Sequence, residues 1–80
     1  MEIKIYIIPT CEWCNKLRTW LKRKRLSFQE LDLTESDTYR DELLEKTQQL
    51  ATPVIDIDGE IIVGFDQQKI EEAVEKAKNK

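Results

Sequence analysis

Apolar and polar positions alternate or cluster in a way that divides the chain into seven segments. Segments rich in β-branched and aromatic residues predict strands at 2–8, 27–33, 52–57 and 60–63. Segments with apolar residues three and four positions apart predict three helices. The first covers residues 11–25, the second follows the N-cap box at 34–37 and ends at about residue 49, and the third begins at residue 66. The predicted order of elements is therefore β-α-β-α-β-β-α.

Each predicted helix has one apolar face, which we expect to pack against a sheet. The residues of these faces are Trp13, Leu17, Trp20 and Leu21 in the first helix, Tyr39, Leu43 and Leu50 in the second, and Ile70, Ala73, Val74 and Ala77 in the third. In the first strand Ile3, Ile5 and Ile7 share one side. The second strand carries enough polar residues to predict a sheet edge.

The connections between strands predict a mixed sheet. Strand, helix and strand within about 30 residues form a βαβ unit, so the first two strands should be parallel, with a right-handed crossover. Asp58 and Gly59 separate two apolar runs and predict a two-residue hairpin turn with positive φ angles. The last two strands should therefore be antiparallel to each other.

Composition narrows the classes of protein that the chain can represent. Its 80 residues fit one small domain, 1–80, with a net charge of −3 from 13 basic and 16 acidic side chains. This balance gives no reason to expect nucleic acid as a partner. No segment reaches the roughly 20 apolar residues of a membrane span, and the start of the chain lacks the features of a signal peptide. We therefore expect a soluble, cytoplasmic protein without a membrane partner.

The two cysteines carry the candidate chemistry. Cys11 and Cys14 are separated by two residues and lie between the first strand and the first helix. The unpaired N–H groups and the dipole of a helix N-terminus stabilise a thiolate, which is the reactive form of cysteine. Cys11 is thus the predicted nucleophile, and Cys14, one turn later on the same face, is close enough to form a disulfide with it.

Three other interpretations of this pair stay open at this stage. A zinc site needs four ligands, and one chain offers two cysteines and no histidine, so no metal is predicted for a single chain. Two chains could share zinc or an iron–sulfur cluster through Cys11 and Cys14, which is the alternative function. A structural disulfide would stabilise little, because the loop it closes is very short. A redox-inert adaptor is the last alternative.

Several motifs in combination resemble the glutaredoxin family of the thioredoxin fold. They are the C-x-x-C pair after a strand, Thr52-Pro53-Val54, the hairpin, and Gly64-Phe65-Asp66 before the last helix. The resemblance implies a four-stranded mixed sheet in the order 4-3-1-2, with the third strand antiparallel to the others. It implies helices one and three on one face, helix two on the other, and a cis bond between Thr52 and Pro53.

The resemblance also implies a function and a set of binding residues. It implies a thiol–disulfide oxidoreductase that reduces protein or glutathione mixed disulfides, with Cys11 and Cys14 as catalytic residues and no bound cofactor. The implied substrate-binding residues are Trp13, Thr52, Pro53, Gly64 and Asp66. The implied partners are disulfide-containing proteins and an electron donor, either glutathione or an enzyme of the thioredoxin reductase type, and the protein is expected to act as a monomer.

The chain departs from the family pattern at three positions. Glu12 and Trp13 stand between the cysteines, where glutaredoxins often have proline and tyrosine. Ile8 replaces a basic residue that in many members pairs with a carboxylate of glutathione, and Val63 replaces the first of two glycines. These departures leave both electron donors as candidates.

Overall fold

The computed structural model describes residues 1–79 and contains the seven elements in the predicted order. The strands and helices are β1 (Ile3–Ile7), α1 (Glu12–Arg23), β2 (Gln29–Asp32), α2 (Asp37–Thr47), β3 (Val54–Ile57), β4 (Glu60–Val63) and α3 (Gln67–Lys78). Most ends lie one or two residues inside the predicted limits, because turns and caps take up the terminal residues. None of these described helices is long and apolar enough to cross a membrane.

The four strands form one mixed sheet in the order β2-β1-β3-β4. β1 pairs with β2 in parallel, with Tyr6 opposite Leu31, and with β3 in antiparallel fashion, with Ile5 opposite Ile55. β3 and β4 are also antiparallel. The predicted sheet order, strand directions and edge position of β2 are therefore confirmed.

The two faces of the sheet carry two separate apolar cores, because successive side chains of a strand point to opposite sides. The larger core joins the sheet to α1 and α3 and contains Ile3, Ile5, Ile7, Cys14, Leu17, Leu21, Ile55, Ile57, Ile62, Ile70, Ala73 and Val74. The smaller core joins the sheet to α2 and contains Tyr6, Leu31, Leu33, Leu43 and Val54. The predicted arrangement of helices on the two faces is confirmed.

The hairpin between β3 and β4 has the predicted turn. Asp58 and Gly59 both have positive φ, at 49° and 93°, as a primed two-residue turn requires. The carboxylate of Asp58 also accepts a hydrogen bond from the backbone N–H of Glu2 at 2.6 Å. This bond ties the turn to the residue that precedes β1.

The apolar face predicted for the first helix is wrong at one residue. Leu17 and Leu21 are fully buried and Trp20 is half-buried, but Trp13 is 57% exposed. Trp13 lies in the first turn of α1, beyond the end of β1 at Ile7, where the sheet no longer covers the helix. The apolar residues have the spacing of a helix face, but the sheet ends before the first turn of α1 and leaves Trp13 uncovered.

The second helix begins at Asp37, at the end of the predicted N-cap box, but the residue that caps it is not the one that the box implies. Ser36, rather than Thr34, is the N-cap, and its hydroxyl accepts a hydrogen bond from the N–H of Thr38 at 3.2 Å. Thr34 instead donates its hydroxyl proton to the Asp32 carboxylate at 2.6 Å. The local bond to Asp32 occupies the hydroxyl that the capping box would have used.

The second helix ends before the predicted apolar face is complete. α2 stops at Thr47, and Gln48 takes the left-handed conformation, with φ of 61°, that commonly ends a helix. Leu50 therefore lies outside the helix and is 57% exposed, so its prediction as a core residue is wrong. The buried residue of α2 is Leu43.

A polar cluster attaches the last turn of α2 to the sheet. Asp56, in the middle of β3, is only 8% exposed, and its carboxylate accepts from Lys46 Nζ at 2.7 Å and from the N–H of Gly59 at 2.8 Å. The same Lys46 Nζ donates to the hydroxyl of Tyr6 at 2.7 Å. Tyr6 in turn donates to Glu42 at 3.2 Å. The buried charge of Asp56 is thus paired and hydrogen-bonded, as buried charges in proteins usually are.

Candidate active site

The turn between β1 and α1 places Cys11 at the helix N-terminus. The N–H of Cys11 donates to the carbonyl of Ile8 at 3.3 Å, so residues 8–11 form a tight turn after the strand. Cys11 is the N-cap of α1, and its sulfur accepts a hydrogen bond from the N–H of Cys14 at 3.1 Å. A sulfur at this position faces N–H groups that the helix itself cannot pair.

The two cysteines are joined as a disulfide and differ in exposure. Their Cα atoms are 5.2 Å apart, within the ordinary range for a disulfide. Cys14 is fully buried in the larger core, whereas Cys11 is half-buried at its border. Of the two cysteines, only Cys11 is therefore partly accessible to a molecule that approaches from solvent.

Four of the five predicted binding residues meet in one shallow cavity beside the cysteines. The cavity has a volume of about 260 Å³ and is lined by Trp13, Thr52, Pro53, Gly64 and Phe65. The bond between Thr52 and Pro53 is cis, as the resemblance implied. The N–H of Gly64 donates to the carbonyl of Pro53 at 2.8 Å and holds the two loops together.

The fifth predicted binding residue, Asp66, lies outside this cavity. It is the N-cap of α3, and its carboxylate accepts from the N–H of Lys69 at 3.2 Å. The capping role is confirmed, and its role as a ligand of glutathione stays a prediction. Asp66 directly follows Phe65, a residue of the cavity wall, in the chain.

Phe65 is a wall residue that the sequence reasoning did not assign. It lines the cavity and packs edge-to-face on Trp20 of α1, with ring centroids 6.3 Å apart. An aromatic residue between a positive-φ glycine and a helix cap could have signalled a packed loop. Phe65 thus connects the cavity to the larger core.

One cation lies over the exposed aromatic ring of the site. Lys16 Nζ is 4.2 Å from the centre of the Trp13 ring, a cation–π geometry. Arg18, on the same helix, instead forms an ion pair with Glu30, with 2.6 Å between Arg18 Nε and the Glu30 carboxylate. Lys16 therefore places a positive charge beside Trp13, whereas the charge of Arg18 is paired with that of Glu30.

Within residues 1–79, no group of three or more histidine, cysteine, aspartate or glutamate side chains is positioned to hold a metal ion. The cysteine pair supplies two sulfur ligands, half of what a tetrahedral zinc site uses. A metal at this place would need ligands from a second molecule. A site shared between two chains stays a prediction.

Comparison with protein families matches residues 3–62 to the family model described as Glutaredoxin. The chain belongs to the glutaredoxin family. The matched part contains the cysteine pair, the cis-proline loop and nearly all of the four strands. The predicted family and its thioredoxin fold are therefore confirmed.

Individual relatives agree with this assignment. The chain is 42% identical over 74 residues to an uncharacterised glutaredoxin-like 8.6 kDa protein in the rubredoxin operon of Clostridium pasteurianum, covering 92% of this chain and 99% of that one. It is 33% identical over 65 residues to glutaredoxin 3 of Escherichia coli K12, covering 81% and 78%. Among solved structures, the thioredoxin-like protein BC3987 aligns with a TM-score of 0.84 at 29% identity, covering 90% of this chain and 99% of that one.

Family membership and the geometry of the cysteine pair together support a glutaredoxin-like redox function. The cavity beside the pair brings together Trp13, Thr52, Pro53 and Gly64, four of the five residues that the resemblance implied for substrate binding. Their individual roles stay predictions.

Proposed function

We propose that this glutaredoxin is a dithiol oxidoreductase that reduces protein disulfides, with Cys11 as the attacking sulfur and Cys14 as the resolving sulfur. The observation that carries the proposal is the difference in exposure between the two cysteine residues at the start of α1. An accessible sulfur at a helix N-terminus is both reachable and stabilised as a thiolate. A buried sulfur one turn later can react only with its neighbour.

The reaction proceeds by two thiol–disulfide exchanges. The Cys11 thiolate attacks one sulfur of the substrate disulfide, a mixed disulfide forms, and the other substrate sulfur leaves as a thiolate. The Cys14 thiolate then attacks Cys11, so the Cys11–Cys14 disulfide forms and the second substrate thiolate is released. The substrate gains two electrons and the cysteine pair loses two. The oxidised pair is the state that the structure contains.

The cavity beside the pair supports a role in holding the substrate. Thr52 lies outside β3, and its backbone N–H and C=O form no hydrogen bond with the residues that the structure describes. An extended substrate segment can pair with these groups as an added strand does. Trp13 and Phe65 provide an apolar surface on which that segment can rest.

The electron donor returns the pair to the dithiol form, and no bound cofactor takes part in the proposal. Glutathione and a thioredoxin-reductase-type enzyme are the two donor classes. Gly64 and Asp66, at the start of α3, are the proposed contacts for the γ-glutamyl end of glutathione. One chain holds both sulfurs and the cis-proline loop, which is consistent with action as a monomer.

Cysteine variants test the proposed division of roles. Cys11→Ser should abolish disulfide reduction, because it removes the attacking sulfur. Cys14→Ser should instead accumulate a mixed disulfide on Cys11, which intact-mass spectrometry detects as one added substrate molecule. In the reduced parent protein, a limiting amount of alkylating reagent should label Cys11. Predominant labelling of Cys14 would contradict the assignment.

A donor comparison completes the test. The parent protein is oxidised and then offered glutathione with glutathione reductase, or thioredoxin reductase, each with NADPH. The consumption of NADPH reports which donor reduces the Cys11–Cys14 disulfide. Cys11→Ser serves as the matched blank in both mixtures. If neither donor reduces the disulfide faster than this blank, the proposed catalytic cycle is wrong.

A further inference from the structure

A second cavity lies on the other side of the cis-proline loop. It has a volume of about 440 Å³ and a mainly apolar wall, and we call it the α2-side pocket. Its lining residues are Ile8, Leu33, Thr34, Arg40, Leu50 and Thr52. Neither Trp13 nor Phe65 lines it, and of its lining residues the proposed reaction uses only the backbone of Thr52.

The α2-side pocket adjoins the reactive sulfur through the backbone. Thr52 lines both this pocket and the cavity beside the cysteines. Ile8 forms another part of the wall, and its carbonyl accepts the hydrogen bond from the N–H of Cys11. A polypeptide that pairs with Thr52 while its disulfide meets Cys11 must therefore pass the mouth of the pocket.

The wall of the pocket favours an apolar ligand group. Leu50, which has left α2, is 57% exposed and presents its side chain without a neighbouring element to cover it. Leu33 belongs to the smaller core and Ile8 packs against it, so the two continue the apolar surface inward. The one cation of the wall, Arg40, forms an ion pair with Asp37. A carboxylate would have to compete with Asp37, whereas an aliphatic side chain would displace only water.

We propose that the α2-side pocket binds an apolar side chain of a protein substrate, located within two residues of the cysteine that Cys11 attacks. An extended chain advances about 3.3 Å per residue, so a side chain two residues from the attacked cysteine lies about 7 Å along the chain from it. Glutathione has no apolar side chain to place here, and Ile8 replaces the basic residue that in many family members pairs with a carboxylate of glutathione. The pocket thus selects polypeptide disulfides over small ones, and this inference rests on the proposed oxidoreductase function.

The test compares two short peptides that each carry one cysteine as a mixed disulfide with 2-mercaptoethanol. The peptides differ only at the positions within two residues of the cysteine, which are leucine in one and serine in the other. Bis(2-hydroxyethyl) disulfide, which has no side chains, serves as a substrate that cannot use the pocket. The measured quantity is kcat/KM for each substrate, with thiol release followed under one donor.

Two leucine variants make a matched pair. Leu50→Ser removes the most exposed apolar residue of the wall, and Leu44→Ser removes another exposed leucine, 40% accessible, which does not line the pocket. Both side chains are largely outside the core, so both variants should fold. Leu50→Asp, which adds a charge at the same wall, provides a second perturbation of the pocket.

The parent protein should reduce the leucine peptide about tenfold faster in kcat/KM than the serine peptide, equivalent to ~1.4 kcal/mol. Leu50→Ser should lower this ratio to about threefold or less, Leu50→Asp should lower it further, and Leu44→Ser should leave it unchanged. All these proteins should reduce bis(2-hydroxyethyl) disulfide at the same rate.

Several results would overturn the inference. Equal rates for the two peptides with the parent protein, with bis(2-hydroxyethyl) disulfide still reduced, would refute the pocket while leaving the oxidoreductase function standing. An equal loss in Leu50→Ser and Leu44→Ser would refute the role of the wall. Faster reduction of a third peptide with aspartate at the same positions would assign the pocket to Arg40 and an acidic group. If no disulfide is reduced at all, both proposals fail together.

Discussion

Replacing Lys46 with methionine should destabilise the protein far more than removing a lysine from a surface ion pair. In the parent, Lys46 Nζ contacts the Asp56 carboxylate and the Tyr6 hydroxyl, each at 2.7 Å. Methionine keeps most of the aliphatic length but removes the charge. Asp56 is then left under α2 with one remaining hydrogen bond, from the N–H of Gly59.

The magnitude follows from the exposure of the two partners. Removing one member of a buried ion pair costs about 3–5 kcal/mol. The Lys46 side chain is 28% exposed, so water can enter and partly solvate the carboxylate that is left. We therefore expect a loss of about 2 kcal/mol in the free energy of unfolding, below that range. For a domain of this size such a loss lowers the melting temperature by roughly 8–16 °C.

The cluster also predicts how stability changes with pH. Burial raises the pKa of Tyr6 above 10.0, although the Lys46 charge opposes the shift. For Lys46, burial alone would lower the pKa, but the hydrogen bonds to Asp56 and Tyr6 outweigh it and raise the pKa above 10.5. Both groups hold their protons more tightly in the folded state. Stability is therefore fully present below pH ~10 and is lost as the pH rises through the folded pKa values.

Thermal and urea unfolding of the two variants test this reasoning. The matched control is Lys76→Met, because Lys76 pairs with Glu60 at 3.6 Å with side chains 72% and 45% exposed. Such a surface pair contributes about 0–0.5 kcal/mol. Equal losses in Lys46→Met and Lys76→Met would show that burial does not strengthen the cluster. Parent stability that stays constant between pH ~9 and ~11.5 would contradict the predicted proton linkage.

Other predictions concern the caps, the hairpin and the metal content. Ser36→Ala should lower the free energy of unfolding by about 1 kcal/mol, because Ser36 and not Thr34 caps α2. An unchanged urea midpoint would indicate that Thr34 is the cap. Gly59→Ala should cost about 1–2 kcal/mol from its φ of 93° alone, since a Cβ there would meet no atom within 4 Å; a neutral result in thermal unfolding would contradict this. Protein purified without oxygen should contain no stoichiometric iron or zinc by elemental analysis, and one metal centre per two chains would favour the shared site through Cys11 and Cys14.

The sequence was sufficient where local chemistry and chain order decide the structure. The turn at Asp58-Gly59 could be predicted because few residues tolerate two successive positive φ angles. The cysteine pair at the start of α1 could be predicted because the strand and the helical period meet there. The sheet order and the cis bond before Pro53 came from the family resemblance, since periodicity does not distinguish one sheet order from another.

The sequence was insufficient where burial depends on which element ends first. Trp13 continues the helical stripe but lies past the end of β1, and Leu50 continues the stripe of α2 but follows the left-handed residue Gln48. Both residues have the spacing of an apolar helix face, but no other part of the fold covers them. Phe65 was missed for the opposite reason, because its packing on Trp20 joins parts of the chain that are far apart in sequence.

The complete burial of Cys14 beside an accessible Cys11 also bears on resistance to oxidative damage. A peroxide that reaches the Cys11 thiolate converts it to a sulfenic acid, and further oxidation would make the loss irreversible. With the two Cα atoms 5.2 Å apart, the Cys14 thiol can attack the sulfenic sulfur, so that a disulfide forms and water leaves. Cys14 itself is shielded by the larger core from the same oxidant. An oxidative lesion is thereby converted into the ordinary oxidised state, which a reductant can reverse.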